Sequence, residues 1–166
     1  MVTCEYVPIP EEAARKMLRA VNLKPGELLF DLGCGSGDIL IIAAEEFGAR
    51  CVGIEMNQRL VDWAKEDVEK RGLQEKVTIF RDNFFSPQYW AHMNKEEKPH
   101  AVRNADVVTM YLTLQVQDAL KERLEKELRP GARVASYAFK LSDWKPVKEI
   151  PTDEAPIYVF EKGRSF

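Results

Sequence analysis

Leu28-Leu29-Phe30-Asp31-Leu32-Gly33-Cys34-Gly35-Ser36-Gly37-Asp38 is the stretch that decides the fold. An apolar run ends in an acid, and glycine then takes every second position. Ile39-Leu40-Ile41-Ile42-Ala43-Ala44 follows, long and apolar enough for a buried helix. The pattern predicts strand, tight turn, helix. Gly33, Gly35 and Gly37 carry no Cβ, so the backbone can bend sharply and approach a ligand while presenting the free N–H groups of a helix N-terminus. A dinucleotide fingerprint, G-x-G-x-x-G, would seat a pyrophosphate there. Asp38 stands where its last glycine belongs, so that pattern fails. Asp31, just before the turn, would repel a phosphate and suits a ligand that is cationic or rich in hydrogen-bond donors. Cys34 has no histidine or other base near it in sequence and is expected to be a small filler, not a nucleophile.

Composition bounds the rest. The 166 residues fit one domain over 1–166, and a hydrophobic content of 45% is enough for a real core. Lys+Arg is 24 against 27 Asp+Glu, a formal net charge of -3, so no basic excess asks for nucleic acid. Cys4, Cys34 and Cys51 lack C-x-x-C spacing, which argues against a zinc or disulfide framework and fits a reducing cytoplasm. His92 and His100 are eight apart without a third ligand, so no metal is expected. No apolar stretch approaches the ~20 residues of a membrane span, and the polar, proline-bearing start is not a signal peptide.

Working outward, Tyr6-Val7-Pro8-Ile9-Pro10 is extended because each proline restricts itself and its predecessor. Glu11 and Glu12 open a helix with Ala14, Met17, Leu18 and Val21 on its buried face. Strands are expected over 27–31, 51–55, 76–80, 105–111 and 133–139, and a final pair over 144–150 and 157–161. Helices are expected over 58–70, capped by Asn57, and over 115–128. Trp63 is read as packing. Residues 86–104 have little periodicity and are expected to form a solvated loop holding at most a short helix over 88–97. Helix–strand alternation closed by a strand pair predicts an α/β fold: a Rossmann-like, seven-stranded, mostly parallel sheet with one antiparallel strand and helices on both faces.

Two further strand ends attract attention. Cys51-Val52-Gly53-Ile54-Glu55 ends in a carboxylate 22 residues beyond Gly33, close to the ~20-residue offset at which an acid meets ribose hydroxyls in nucleotide-binding versions of this architecture. A carboxylate can accept two charge-assisted bonds from a vicinal diol; the plainer reading is a solvated strand end. Asp82 or Asn83, after the third strand, is either an acceptor for an exocyclic amine or an ordinary Asx turn.

D-L-G-C-G-S-G resembles the first motif of class I S-adenosylmethionine-dependent methyltransferases. Together with Y-V-P-I-P, G-I-E-M-N, D-N-F-F, V-V-T-M-Y-L, L-E-K-E-L-R-P-G-A-R-V and S-Y-A-F-x-L-x-x-W-x-P, the chain resembles the small archaeal protein-lysine methyltransferases, which are similar to a mitochondrial lysine methyltransferase group. The segment 86–104 departs from that pattern, so substrate choice is expected to differ. The resemblance implies S-adenosyl-L-methionine as cofactor. Asp31, Gly33, Cys34, Gly35 and Gly37 would border its methionine moiety and Glu55 its ribose, with Met56, Asp82, Asn83 and Phe84 around its base. Tyr6 and Pro8 would cover the cofactor, and Tyr6 and Tyr111 would serve the reaction channel. The implied chemistry is in-line methyl transfer to a lysine amine made neutral by an apolar channel of Val7, Phe85, Tyr111 and Phe139. Protein substrates with exposed lysines, loose specificity, self-methylation at Lys145 or Lys162, and a monomer are expected. A small-molecule or nucleic-acid methyltransferase is the rival reading, although Met110-Tyr111-Leu112-Thr113 stands where an N-P-P-Y-like tetrapeptide would mark adenine substrates. A non-catalytic module that only binds the cofactor is the third.

Overall fold

Alternation along the central strands builds two cores. In a computed structural model, which describes residues 5–93 and 101–166, strand β1 (Leu28–Leu32) sends Leu29 to one face of the sheet, and Phe30 and Leu32 to the other. Helices α1 (Glu11–Ala20), α2 (Asp38–Phe47) and α3 (Gln58–Lys70) pack on the first face through Met17, Leu18, Leu40 and Ala64. Helices α4 (Pro87–Met93) and α5 (Leu114–Glu127) pack on the second through Trp90, Leu120 and Leu124.

The other strands are β2 (Arg50–Glu55), β3 (Val77–Arg81), β4 (Val107–Met110), β5 (Arg133–Tyr137), β6 (Lys148–Ile150) and β7 (Ile157–Glu161). Their order is β3-β2-β1-β4-β5-β7-β6. All neighbouring pairs through β5 are parallel, and β7 runs antiparallel to both β5 and β6. This is the expected seven-stranded sheet with one reversed strand. The direction of winding changes between β1 and β4, so the chain leaves a crevice at the carboxyl ends of these two strands.

Local chemistry sets the boundaries. Asn57 caps α3 as expected, its side-chain oxygen accepting from the N–H groups of Arg59 and Leu60. Ala138, with φ at 72°, ends β5 two residues before the expected boundary. The strand expected over 144–150 shrinks to Lys148–Ile150, because Pro146 has no N–H to give a ladder. Trp144 is instead buried, stacks on Phe166 at 3.6 Å and donates to Glu125 Oε1 at 2.8 Å.

Two readings need correction. Trp63 does not pack inward: it is 48% exposed, with the Arg59 guanidinium over its ring. The described part of 86–104 is not a solvated loop. Tyr89 and Trp90 are fully buried, Trp90 Nε1 donates to the carbonyl of Phe84 at 2.7 Å, and a 3-10 turn (Val102–Asn104) buries Val102. Two large aromatics side by side gave no helical period to read, yet their area is what fixes α4 to the sheet. Readings on Cys4, His100 and the charged run 95–98 lie outside the described residues.

Candidate active site

At the crevice a cavity of about 330 Å³ opens, near the lower end of the range for small-ligand sites. Asp31, Gly33 and Cys34 reach it from β1 and the turn after it, and Glu55 and Met56 from the end of β2. Phe84 and Phe85 come from the segment after β3, and Tyr111 and Leu112 from the end of β4. Tyr6, Val7 and Pro8 complete it from the extended segment before α1. Gly35, Gly37, Asp82, Asn83 and Phe139 are not among the lining residues. Asn83 Oδ1 accepts from the N–H of Phe85, two residues on, which is an Asx turn, while Asp82 Oδ1 accepts from the N–H of Asn83 next to it.

The glycine turn is held from two sides. Gly35 N–H donates to Glu55 Oε2 at 3.0 Å, while Glu55 Oε1 accepts from the N–H groups of Met56 and Asn57. Three of the roughly four lone-pair sites of that carboxylate are thus engaged with backbone. At Gly35, with φ at 54°, a Cβ would lie 2.4 Å from the Tyr6 ring. The Tyr6 segment therefore lies directly against the turn. The Tyr6 hydroxyl lies 2.6 Å from Ser36 Oγ, which itself donates to Asp38 Oδ2 at 3.0 Å.

Asp31 is only 2% exposed. Thr109 Oγ1, its register partner on β4, donates to Asp31 Oδ1 at 2.8 Å. Burial pushes the Asp31 carboxyl up to about 7; the Thr109 bond opposes this, and the charges of Glu55 and Asp38 add to it. The Cys34 thiol is pushed well up, by burial first and then by the charges of Asp31 and Glu55. Glu5, Asp31, Asp38 and Glu55 all line the cavity, and among the described residues no lysine or arginine does. Among the described residues no cluster of His, Cys, Asp or Glu is arranged for a metal ion. Tyr111 is half-buried, its ring edge-on to Tyr137 at 4.8 Å.

Sequence reasoning passed over Thr109, Ser36, Asp38 and Leu112 as site residues. Thr109 had a signal: it is the only hydroxyl-bearing residue among the four of β4 and pairs with Asp31 in register. Ser36 and Asp38 had none beyond their neighbourhood.

Sheet order, glycine turn and paired strand-end acids define a class I methyltransferase, an enzyme class whose methyl donor is S-adenosyl-L-methionine. The family model described as the ANTKMT methyltransferase domain matches residues 31–148, and the chain belongs to that family. It is 36% identical over 150 residues to a protein-lysine N-methyltransferase of Saccharolobus islandicus, covering 90% of this chain and 85% of that one. An adenine nucleotide translocase lysine N-methyltransferase of Mus musculus is 28% identical over 93% of the chain, which spans 63% of the mouse protein's length. The crystal structure of an RNA methyltransferase from Salinibacter ruber with S-adenosyl-L-homocysteine has a TM-score of 0.82 at 30% identity, with 93% of each chain covered. Among the described residues no helix is long and apolar enough to cross a membrane.

Proposed function

We propose that this protein methylates lysine side chains of other proteins by in-line transfer to a neutral amine. The observation that carries the reading is the charge of the cavity, with four lining carboxylates and, among the described residues, no lining lysine or arginine. Such a site repels a phosphate-bearing ligand and attracts one that carries an ammonium and a sulfonium. It also attracts a substrate that arrives as an alkylammonium. The similar archaeal and mouse proteins are named for lysine methylation, which supports the same substrate.

When bound, S-adenosyl-L-methionine supplies a sulfonium methyl as electrophile. Asp31, with Gly33, Cys34, Gly35 and Gly37, is assigned to the methionine moiety, Glu55 to one ribose hydroxyl through the lone-pair site its backbone bonds leave open, and Met56, Asp82, Asn83 and Phe84 to the base. Tyr6 and Pro8 cover the cofactor. Val7, Phe85 and Tyr111, all lining the cavity, desolvate the incoming amine and pull its pKa down from the ordinary ~10.4, against the lining carboxylates, which favour its charged form. The Tyr6 and Tyr111 hydroxyl oxygens are assigned to accept amine hydrogens and aim the lone pair. The cofactor held by these residues would give up its methyl with the sulfur–methyl bonding pair left on sulfur as a neutral thioether, and the proton displaced from the methylated amine would go to solvent. The chain's contribution is alignment at near-contact distance, which needs no dedicated base.

Methyl-labelled cofactor incubated with the protein and a cell extract tests the reading. Label in protein, mapped to lysine by peptide mass spectrometry, is expected on many proteins, together with mass increments on the enzyme at Lys145 or Lys162. Label confined to RNA would establish instead the second reading, favoured by the Salinibacter likeness. Label nowhere, with cofactor still bound, would make the protein a binding module.

A further inference from the structure

The Tyr6 hydroxyl lies 2.6 Å from Ser36 Oγ, and either oxygen can be the donor on distance alone. The next bond decides the direction. Ser36 Oγ has one proton, and it goes to Asp38 Oδ2 at 3.0 Å, an acceptor-only carboxylate when ionised. Tyr6 must therefore donate to Ser36. The relay runs Tyr6 to Ser36 to Asp38, anchored at the first residue of α2, and each bond polarises the next.

Tyr6 is not a core residue. It is 40% exposed, and Val7 beside it is 54% exposed. The nearest buried residue of that segment is Ile9. The Tyr6 ring rests on Gly35, where a Cβ would be 2.4 Å away. Ring contact and relay together hold the segment across the turn, with Tyr6, Val7 and Pro8 lining one cavity with Asp31 and Glu55.

We propose that Ser36 is the positioning residue for Tyr6: by accepting the Tyr6 proton while giving its own to Asp38, it latches the N-terminal segment over the cofactor cavity. Two consequences follow. The segment must unlatch for cofactor and product to exchange, so the latch sets their residence time. The Tyr6 oxygen, its proton committed, is also left as an acceptor only, as the role of orienting a neutral amine requires. The proposal rests on the cofactor-binding reading, but the latch exists without ligand and is testable without it.

Tyr6→Phe, Ser36→Ala, their double variant and Ser36→Thr form the test set. In the unliganded protein Tyr6→Phe is expected to lower the melting temperature by about 2 °C, roughly what one hydrogen bond is worth in a chain of this size, and Ser36→Ala by about 4 °C, because it also removes the bond to Asp38. The double variant is expected to fall no further than Ser36→Ala, because the one bond that Tyr6→Phe removes is already gone there. Dissociation of S-adenosylhomocysteine, followed by stopped flow, is expected to be about three- to tenfold faster in Tyr6→Phe, Ser36→Ala and the double variant alike. Ser36→Thr keeps a hydroxyl and is expected to restore the wild-type rate. Additive losses in the double variant, or Ser36→Ala indistinguishable from wild type in both measurements, would overturn the latch. Failure of the wild-type protein to bind S-adenosylhomocysteine would instead remove the cofactor reading and leave the melting-temperature cycle to judge the latch alone.

Discussion

Asp31 concentrates the physics of the site in one side chain. An unfolded-chain aspartate titrates near ~3.9, and in the folded protein burial pushes this one up to about 7. The folded state therefore holds that proton more tightly than the unfolded state between about pH 4 and pH 7, and this group's contribution to stability falls as pH rises through that window. Above about pH 7 the protein carries a buried carboxylate with Thr109 as its hydroxyl donor. A cation at the cavity would remove the penalty, since it favours the ionised form. Cofactor binding near pH 6 is therefore expected to release close to one proton, and affinity to rise with pH before levelling above about 7. Calorimetry in buffers of different ionisation enthalpy measures this directly, and zero proton exchange at pH 6 would remove Asp31 from cofactor contact. Asp31→Asn carries the converse: a higher melting temperature than wild type at pH 8, and cofactor binding lost. That an acid stands at 31 was legible from its place before the glycines. Its proton affinity was not, because it depends first on burial and then on Thr109, Glu55 and Asp38, which only the folded chain brings around it.

Elements meet the site through close backbone approaches. On β2, a Cβ at Gly53 would lie 2.4 Å from Leu40 Cδ1 and 2.7 Å from Cys34 Sγ. The strand, the glycine turn and α2 thus interlock at a position that lacks a side chain. Gly53→Ala is expected to cost about 1–3 kcal/mol by overpacking, read as a lower urea midpoint with unchanged slope, and to weaken cofactor binding because Cys34 moves with the turn. A midpoint within error of wild type would mean that Leu40 and Cys34 yield freely. Elements were legible where periodicity or capping spoke: α1 with its acidic start, α3 behind Asn57, β1 and β2 as apolar runs ending in acids. The segment after β3 was not, because Tyr89 and Trp90 bury themselves by size and not by period. Trp90 matters to the site as well as to the core, since its indole N–H holds the carbonyl of Phe84, a cavity residue. Trp90→Phe keeps most of the ring and loses that bond. Its expected effect is about 1 kcal/mol of stability with a larger proportional loss in cofactor affinity, measured by denaturation and calorimetry on the same sample.

At the scale of the whole molecule, the fold and the covering of its site come from separate parts of the chain. Residues from 9 onward supply both cores: Ile9 is the first buried residue described, and α1 closes one face of the sheet. Residues 5–8 are exposed, yet all four line the cavity. Stability and ligand capture should therefore separate when the chain is shortened. A variant lacking residues 1–8 is expected to keep its far-ultraviolet circular dichroism and to melt about 2–5 °C below the full chain, since it loses the Tyr6–Ser36 bond and the ring contact but no core residue. Its cofactor affinity is expected to drop at least tenfold, because the cavity loses Glu5, Tyr6, Val7 and Pro8 and opens to water, which screens the attraction of the carboxylates that remain. The fall should be steeper in salt than in the intact chain, as those carboxylates are then no longer shielded by a covering segment. If the shortened chain unfolds, the segment belongs to the core and the division drawn here between scaffold and cover fails. If it folds and binds as before, the cavity ends at the glycine turn, and Tyr6 has no part in holding the cofactor.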